Sequence, residues 1–243
     1  MQYWAVTDPG CVRTQNQDAW KIEKLSRTAL LCVVCDGMGG AKSGNIASSL
    51  ASDVFTQSVT ASFKSSMDQA QIDTMLQNAV KLANFTVFDQ AQSFEDFAGM
   101  GTTLVAMLVH GKQVTVVNVG DSRLYHIGAN GIRQVTHDHS LVQMMIDRGE
   151  LTVQQGKNYP GKNMITRAVG TEAVVQCDLF HLELERGDNL LACSDGLSNL
   201  VDEQEILFEV VYHADKQKCC QQLLQIALDR GAPDNVTCAL VQA

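Results

Sequence analysis

Apolar and polar positions along the chain predict strands at both ends, with two pairs of helices between strand groups. QYWAVTD at the N-terminus and the segment TALLCVVC are β-branched or aromatic runs bounded by Gly or Pro and read as strands, with a further short strand after Asp18. From Asn45 to about Phe63, Ile46, Leu50, Val54, Phe55 and Val59 recur with a helical period, and Ile72, Leu76, Val80 and Val87 do the same between about Asp68 and Gln90. LVAMLV, QVTVVNV and RLYHI are strand-like, separated by His110-Gly111-Lys112 and Gly120-Asp121-Ser122, and Asn130-Gly131 turns into one more strand. These runs predict an antiparallel meander. Residues 138 to 164 break into short helical pieces and the stretch GKNYPGKN, an excursion over the surface. Strands near Val174–Leu184 and Asn189–Cys193, helices at about Glu203–Val211 and Lys216–Leu228, and a last strand VTCALV complete the order. The class is α+β, with paired helices covering sheets that face one another.

Composition narrows this further. In 243 residues, 45% are hydrophobic, 19% charged and only 3 are proline, which leaves no room for a long solvated linker and predicts one compact domain over 1–243. Lys and Arg number 18 against 27 Asp and Glu, a formal charge of −9 that excludes the positive footprint of a nucleic-acid binder. The longest apolar run, Ala29 to Cys35, has seven residues. About 18 to 20 are needed to span a bilayer. Met1 to Asp8 has none of the features of a secretory signal, so a cytoplasmic protein is expected. The eight cysteines fit reduced thiols better than a disulfide framework. Cys32 and Cys35 lie three apart on a strand and point to opposite faces, and Cys219 and Cys220 are adjacent on a helix, so packing explains them better than zinc or redox chemistry.

The acidic residues carry the candidate chemistry. Asp36 in VVCDGMGG, Asp121 in VVNVGDSR, Asp195 in LLACSDGLSN and Asp234 in GAPDNVT each stand at the end of a predicted strand, where a side chain projects from the sheet edge. A single Asp-Gly is an ordinary turn dipeptide. Four carboxylates brought together repel one another unless protonated or neutralised, and a hard divalent cation is the simplest neutraliser. Oxygen donors without a His or Cys cluster favour Mg²⁺ or Mn²⁺ over Zn²⁺ or Cu²⁺. Paired carboxylates also serve glycosidases, but 6% aromatics and 2 tryptophans make a poor sugar cleft. The chain has no P-loop motif, Gly39 to Gly44 matching one only in composition, and no G-x-S-x-G elbow.

This ordered set resembles the metal-dependent protein phosphatases of the protein phosphatase 2C type, above all their small bacterial members. The resemblance runs through Arg13-x-x-Asn16-Gln17-Asp18, DGMGGA from Asp36, GTT from Gly101, VGDSR from Val119, THDHS from Thr136, ITRAVG from Ile165, SDG from Ser194 and PDNVT from Pro233. It implies a four-layer αββα sandwich with a binuclear Mn²⁺ or Mg²⁺ site at one end. In that site Asp36 would bridge two ions, with the Gly37 carbonyl on one and Asp195 and Asp234 on the other. Asp18 would act through metal-bound waters, and Asp121 with Asp195 would hold a third, weaker ion. Arg13 matches the phosphate-binding arginine. The implied activity is hydrolysis of phosphoserine and phosphothreonine in proteins by a metal-bridging hydroxide, opposing a bacterial serine/threonine kinase. The implied flap covers about 141–164, where substrate choice is expected, and the chain is expected to act as a monomer.

Two positions depart from the family pattern. Met38 stands where animal members carry a His that is a candidate general acid, and Gln17 stands where many members have Glu. A water on the third ion is then the expected proton donor. His137 and His139, flanking Asp138, are read as structural or flap-positioning rather than as ligands. Lys157 and Lys162 in GKNYPGKN either recruit a phosphorylated segment or are solvated loop charges. Two other readings stay open, a regulatory phosphatase of a partner-switching pathway and a catalytically silent binding module.

Overall fold

The structure, a computed structural model, describes residues 1–157 and 159–243, with side chains at all of these except 40–42. Asn158 of the surface stretch therefore lies outside the described residues. The elements are β1 (Gln2–Asp8), β2 (Asp18–Lys24), β3 (Ala29–Met38), α1 (Gly40–Ser62), α2 (Gln69–Ser93), β4 (Gly101–Thr102), β5 (Leu104–His110), β6 (Gln113–Val119), β7 (Arg123–Gly128) and β8 (Gly131–Gln134). They continue as α3 (Leu141–Asp147), α4 (Val153–Gly156), β9 (Asp178–Glu183), β10 (Asn189–Cys193), α5 (Asp195–Ser198), α6 (Glu203–Tyr212), α7 (Lys216–Asp229) and β11 (Val236–Gln242).

Two antiparallel sheets result. One has the order β1-β11-β10-β7-β8, the other β2-β3-β5-β6-β9 with β4 added to the end of β3. Alternation along each strand builds three apolar layers. Leu30, Cys32 and Val34 of β3 face Leu190 and Ala192 of β10 and Ala239 and Val241 of β11 between the sheets. The opposite face of β3, Leu31, Val33 and Cys35, packs under Ala51 and Phe55 of α1 and Leu76 and Val80 of α2. On the far side, Leu191 and Cys193 of β10 pack under Ile206 and Val210 of α6 and Leu223 and Ala227 of α7. This is the αββα sandwich, and Cys32 and Cys35 lie in different layers of it. All eight cysteines are free thiols. Helix starts are set locally: Asp68 caps α2 and Asp202 caps α6, each in a reciprocal capping box with the residue three further on.

The expected meander does not form. β5 and β6 pair, but β6 then pairs with β9, while β7 pairs with β8 and β10 in the other sheet. Gly120-Asp121-Ser122 is a crossing between layers rather than a hairpin turn, and Gly120 takes φ +107° to make it. Alternating apolar runs signal strands without saying which sheet each one joins.

Candidate active site

One end of the sandwich gathers the candidate residues. Asp18 and Asp36 are direct cross-strand partners on β2 and β3. β3 runs on past Asp36 because Gly37 and Met38 pair with β4, so Asp36 lies inside the strand rather than after it. Asp195 is the first residue of α5 rather than a turn residue. Asp121 follows β6, and Asp234 precedes β11. Arg13, Asp36, Gly37, Asp121, Asp195 and Asp234 all line a single cavity of about 540 Å³, with Met38, Thr103 and, from the segment after α4, Asn163 and Ile165.

Hydrogen bonds through the backbone hold this end rigid. The Asp36 N–H donates to Thr103 Oγ1 (2.9 Å), the Asp36 carbonyl accepts from the Thr103 N–H (2.9 Å), and Thr103 Oγ1 meets Ser122 Oγ at 2.7 Å. Ser194 Oγ donates to Asp18 Oδ2 at 2.7 Å and accepts from the Thr237 N–H at 3.0 Å. Asn235 staples the loop between β1 and β2: its Nδ2 donates to the Pro9 and Gln15 carbonyls, each at 2.9 Å, and its Oδ1 accepts from the Gln17 N–H at 2.8 Å. Two glycines are required by space. A Cβ on Gly37 would stand 2.0 Å from the Gly44 carbonyl oxygen, and one on Gly196 1.9 Å from that of Asn235.

Electrostatically, the cavity is an acidic cluster in which Arg13 pairs with Asp234 alone. Burial, then the charges of Asp195 and Asp234, push Asp18 up to about 7 against hydrogen bonds from Thr237 and Ser194. Burial and the neighbouring Asp18, Asp195, Asp121 and Asp234 drive Asp36 well above the usual carboxylate range. Asp121 is pushed up to about 7 by burial and by Asp195 and Asp138, and Asp195 is raised by burial and Asp234. The Asp18 Oδ1 is buried with no hydrogen-bond partner. Among the described residues no three acidic, His or Cys side chains close into a ready-made metal shell. The carboxylates have instead turned to other partners: Asp234 accepts from Arg13 Nη2 at 2.8 Å, Asp195 from Asn199 Nδ2 at 3.0 Å, and Asp18 from Ser194. The orphaned Asp18 oxygen, the raised carboxyls and the all-oxygen donors fit hard divalent cations.

Outside this cluster, His139 is buried and both its ring nitrogens are engaged, while His137 is half-exposed and pairs with Asp147 at 2.8 Å. Neither reaches the cavity lining. Asp138 is buried against Arg123, which donates to it from Nε and Nη2, the latter at 2.7 Å. Lys157 and Lys162 line a second cavity of about 850 Å³ that shares Asp121 and Asp195 with the first. Thr103, Ser122, Ser194 and Asn235 were legible only as members of the GTT, GDS, SDG and PDN motifs, not as the groups that set the carboxylates.

Fold and site together define a class. A profile described as Protein phosphatase 2C matches residues 12–229, and the chain belongs to that family of metal-dependent phosphatases. Among individual proteins it is similar to the serine/threonine phosphatase stp of Listeria welshimeri, 35% identical over 240 residues, covering 97% of this chain and 93% of that protein. The crystal structure of serine/threonine phosphatase Stp1 from Staphylococcus aureus superimposes with a TM-score of 0.94 at 38% identity, covering 100% of this chain and 94% of that one. The Mycobacterium tuberculosis PstP/Ppp structure gives a TM-score of 0.84 at 30% identity, covering 99% of this chain and 97% of that one.

Proposed function

We propose that this chain is a metal-dependent serine/threonine protein phosphatase acting on phosphorylated proteins. The observation that carries the reading is the convergence of buried, mutually repelling carboxylates on one cavity. Asp36, the Gly37 carbonyl, Asp195 and Asp234 are the groups we assign to two Mn²⁺ or Mg²⁺ ions, with Asp18 acting through water and Asp121 on a third, weaker ion. When bound, such ions lower the pKa of water and neutralise phosphoryl charge.

The protein's own groups do the rest. Arg13 is half-exposed at the rim, and its planar guanidinium suits bidentate contact with phosphoryl oxygens once it leaves Asp234. No Ser, Cys or His lines the cavity among the described residues, and Thr103 Oγ1 is committed to Ser122 and the Asp36 N–H. With Thr14 the one other hydroxyl on the lining, this supports attack by water rather than a covalent phosphoenzyme on Ser, Cys, His or Thr103. Met38 has no proton to give to a leaving alkoxide, so we assign proton delivery to the Asp121 side of the cavity. Asp121→Asn should then slow an alkyl phosphoserine ester more than an aryl phosphate, whose leaving group needs less protonation.

We take residues 1–243 as one catalytic unit with a flap at about 141–164, monomeric, cytoplasmic and paired in its cell with a serine/threonine kinase. No helix among the described residues is long and apolar enough to cross a membrane. A silent binding module is disfavoured because unpaired buried carboxylates cost stability that such a protein has no reason to bear. The test is hydrolysis of a small aryl phosphate with and without Mn²⁺ by wild type and Asp36→Asn. Metal-independent turnover, or an unaffected Asn variant, overturns the reading.

A further inference from the structure

The peptide from which Asp121 projects is clasped at three points. The Gly120 N–H donates to His139 Nδ1 at 3.0 Å, the Gly120 carbonyl accepts from the His139 N–H at 2.9 Å, and Asn118 Nδ2 donates to the same carbonyl at 3.2 Å. Because Nδ1 accepts a backbone N–H, the neutral ring carries its proton on Nε2. That nitrogen lies 3.2 Å from Asp178 Oδ2 and 2.9 Å from Arg167 Nη1, which itself donates to Asp178 Oδ1 at 2.8 Å. The Gly120 N–H sets the tautomer, and Asp178 accepts the Nε2 proton beside the Arg167 guanidinium. The side chain of His139 is 6% exposed, and both nitrogens are used inside the protein, so it is not itself a ligand.

The same residue is tied to the base of the 141–164 segment. The His139 carbonyl accepts from the Thr166 N–H at 2.8 Å, and the next residue, Ser140, bridges to Ile165. Gly120 has no slack of its own, since a Cβ there would stand 2.6 Å from Thr103 Cγ2. The rigid end of β6, the Thr103 wall and the His139 ring together decide where the Asp121 carboxylate points.

We infer that His139, oriented by Asp178, is a positioning residue for Asp121, fixing the Gly120 peptide so that the carboxylate meets the cavity. The inference rests on the proposed role of Asp121 in holding a weak third ion. A partner that orients a metal-binding group changes affinity by about 10- to 100-fold when removed.

The test uses His139→Leu, which removes the acceptor, and His139→Asn, whose Oδ1 replaces Nδ1. Asp121→Asn marks loss of the carboxylate itself, and Asp178→Asn is a milder variant should the Leu protein fail to fold. Gly120 amide hydrogen exchange is read on metal-free protein, and Mn²⁺ binding by calorimetry and electron paramagnetic resonance. His139→Leu should speed Gly120 exchange by about tenfold or more. It should also weaken only the Mn²⁺ site that Asp121→Asn weakens, and Asn should restore both. Asp178→Asn should shift both readouts the same way by less. Unchanged Gly120 exchange overturns the inference, as does faster exchange with wild-type binding at that site, or weakening of all sites alike. If Asp121→Asn removes no Mn²⁺ from wild type, the ligand assignment of Asp121 fails. His139 as a positioner is then supported only if the Leu variant speeds exchange and lowers kcat with KM unchanged, and overturned otherwise.

Discussion

Gly196 offers a test of how tightly the fold must register the two halves of the cavity. It follows Asp195 at the start of α5, against the chain that carries Asp234 and Asn235 into β11. A Cβ at Gly196 would sit 1.9 Å from the Asn235 carbonyl oxygen, where real Cβ atoms keep at least 3.0 Å, so Gly196→Ala must separate the two segments by at least about 1.1 Å. Neither side yields easily, because the obstacle is backbone and Asn235 is held by three hydrogen bonds of its side chain. Overpacking of this kind costs about 1–3 kcal/mol. A misplacement of about 1 Å in a reacting constellation costs about 10²-fold in rate. The assay is Mn²⁺-dependent hydrolysis of an aryl phosphate by wild type, Gly196→Ala and a control, Gly187→Ala, each with a thermal melt. Gly187 has φ +94° and open space around it, so the control carries backbone strain without a clash. Gly196→Ala should lose about a hundredfold in turnover while still folded at the assay temperature, and the control should keep its activity. A folded Gly196→Ala protein with wild-type turnover and Mn²⁺ dependence would refute the reasoning.

Three further outcomes follow from the same geometry. Asp36→Asn should abolish turnover yet raise the Tm of chelator-treated protein, because it removes a buried group whose ionisation burial and four other carboxyls oppose; a lower Tm than wild type in chelator contradicts this. In metal-free protein, Asp18 keeps its proton up to about 7 in the folded state, against about 3.8 for an ordinary aspartate. The folded state thus binds more protons than the unfolded chain between those values, so stability should fall as pH rises from about 4 to about 7. Melts against pH with and without Mn²⁺ check this, and a metal-free protein that gains stability across that range sinks it. Asn235→Ala removes three hydrogen bonds to the loop that carries Arg13 and leads into Asp18, at about 1 kcal/mol each. It should lower urea stability by roughly 2–3 kcal/mol and reduce turnover, and a stable, fully active variant counts against the staple.

Much of the fold was legible because the signals are local. The periodic apolar faces of α1 and α2 place helices without reference to anything distant. The apolar run of β3 marks a central strand, and its alternation correctly sends Cys32 and Cys35 to different layers. What was not legible is pairing. β6 and β7 look like neighbours in a hairpin because a short Gly-Asp-Ser break separates two apolar runs, yet they belong to different sheets. α5 and β4 were missed because four and two residues are too few to show a period.

The site divides in the same way. Asp36, Asp121, Asp195 and Asp234 could be named from their places at strand ends, where oxygen-rich chemistry suits so many acids without a His or Cys cluster, and Asp18 from the family resemblance. Their convergence belongs to the tertiary structure: Asp18 meets Asp36 through β2–β3 register, while Asp195 and Asp234 arrive from the other sheet. The groups that aim them, Asn235, Ser194, Thr103 and His139, act across long stretches of chain, and no local pattern carries that information. Sequence determines which residues are apolar, acidic or conformationally free, because those properties belong to one residue at a time. Distances between carboxylates, and hence their repulsion and their fit to a cation, exist only once two sheets have packed.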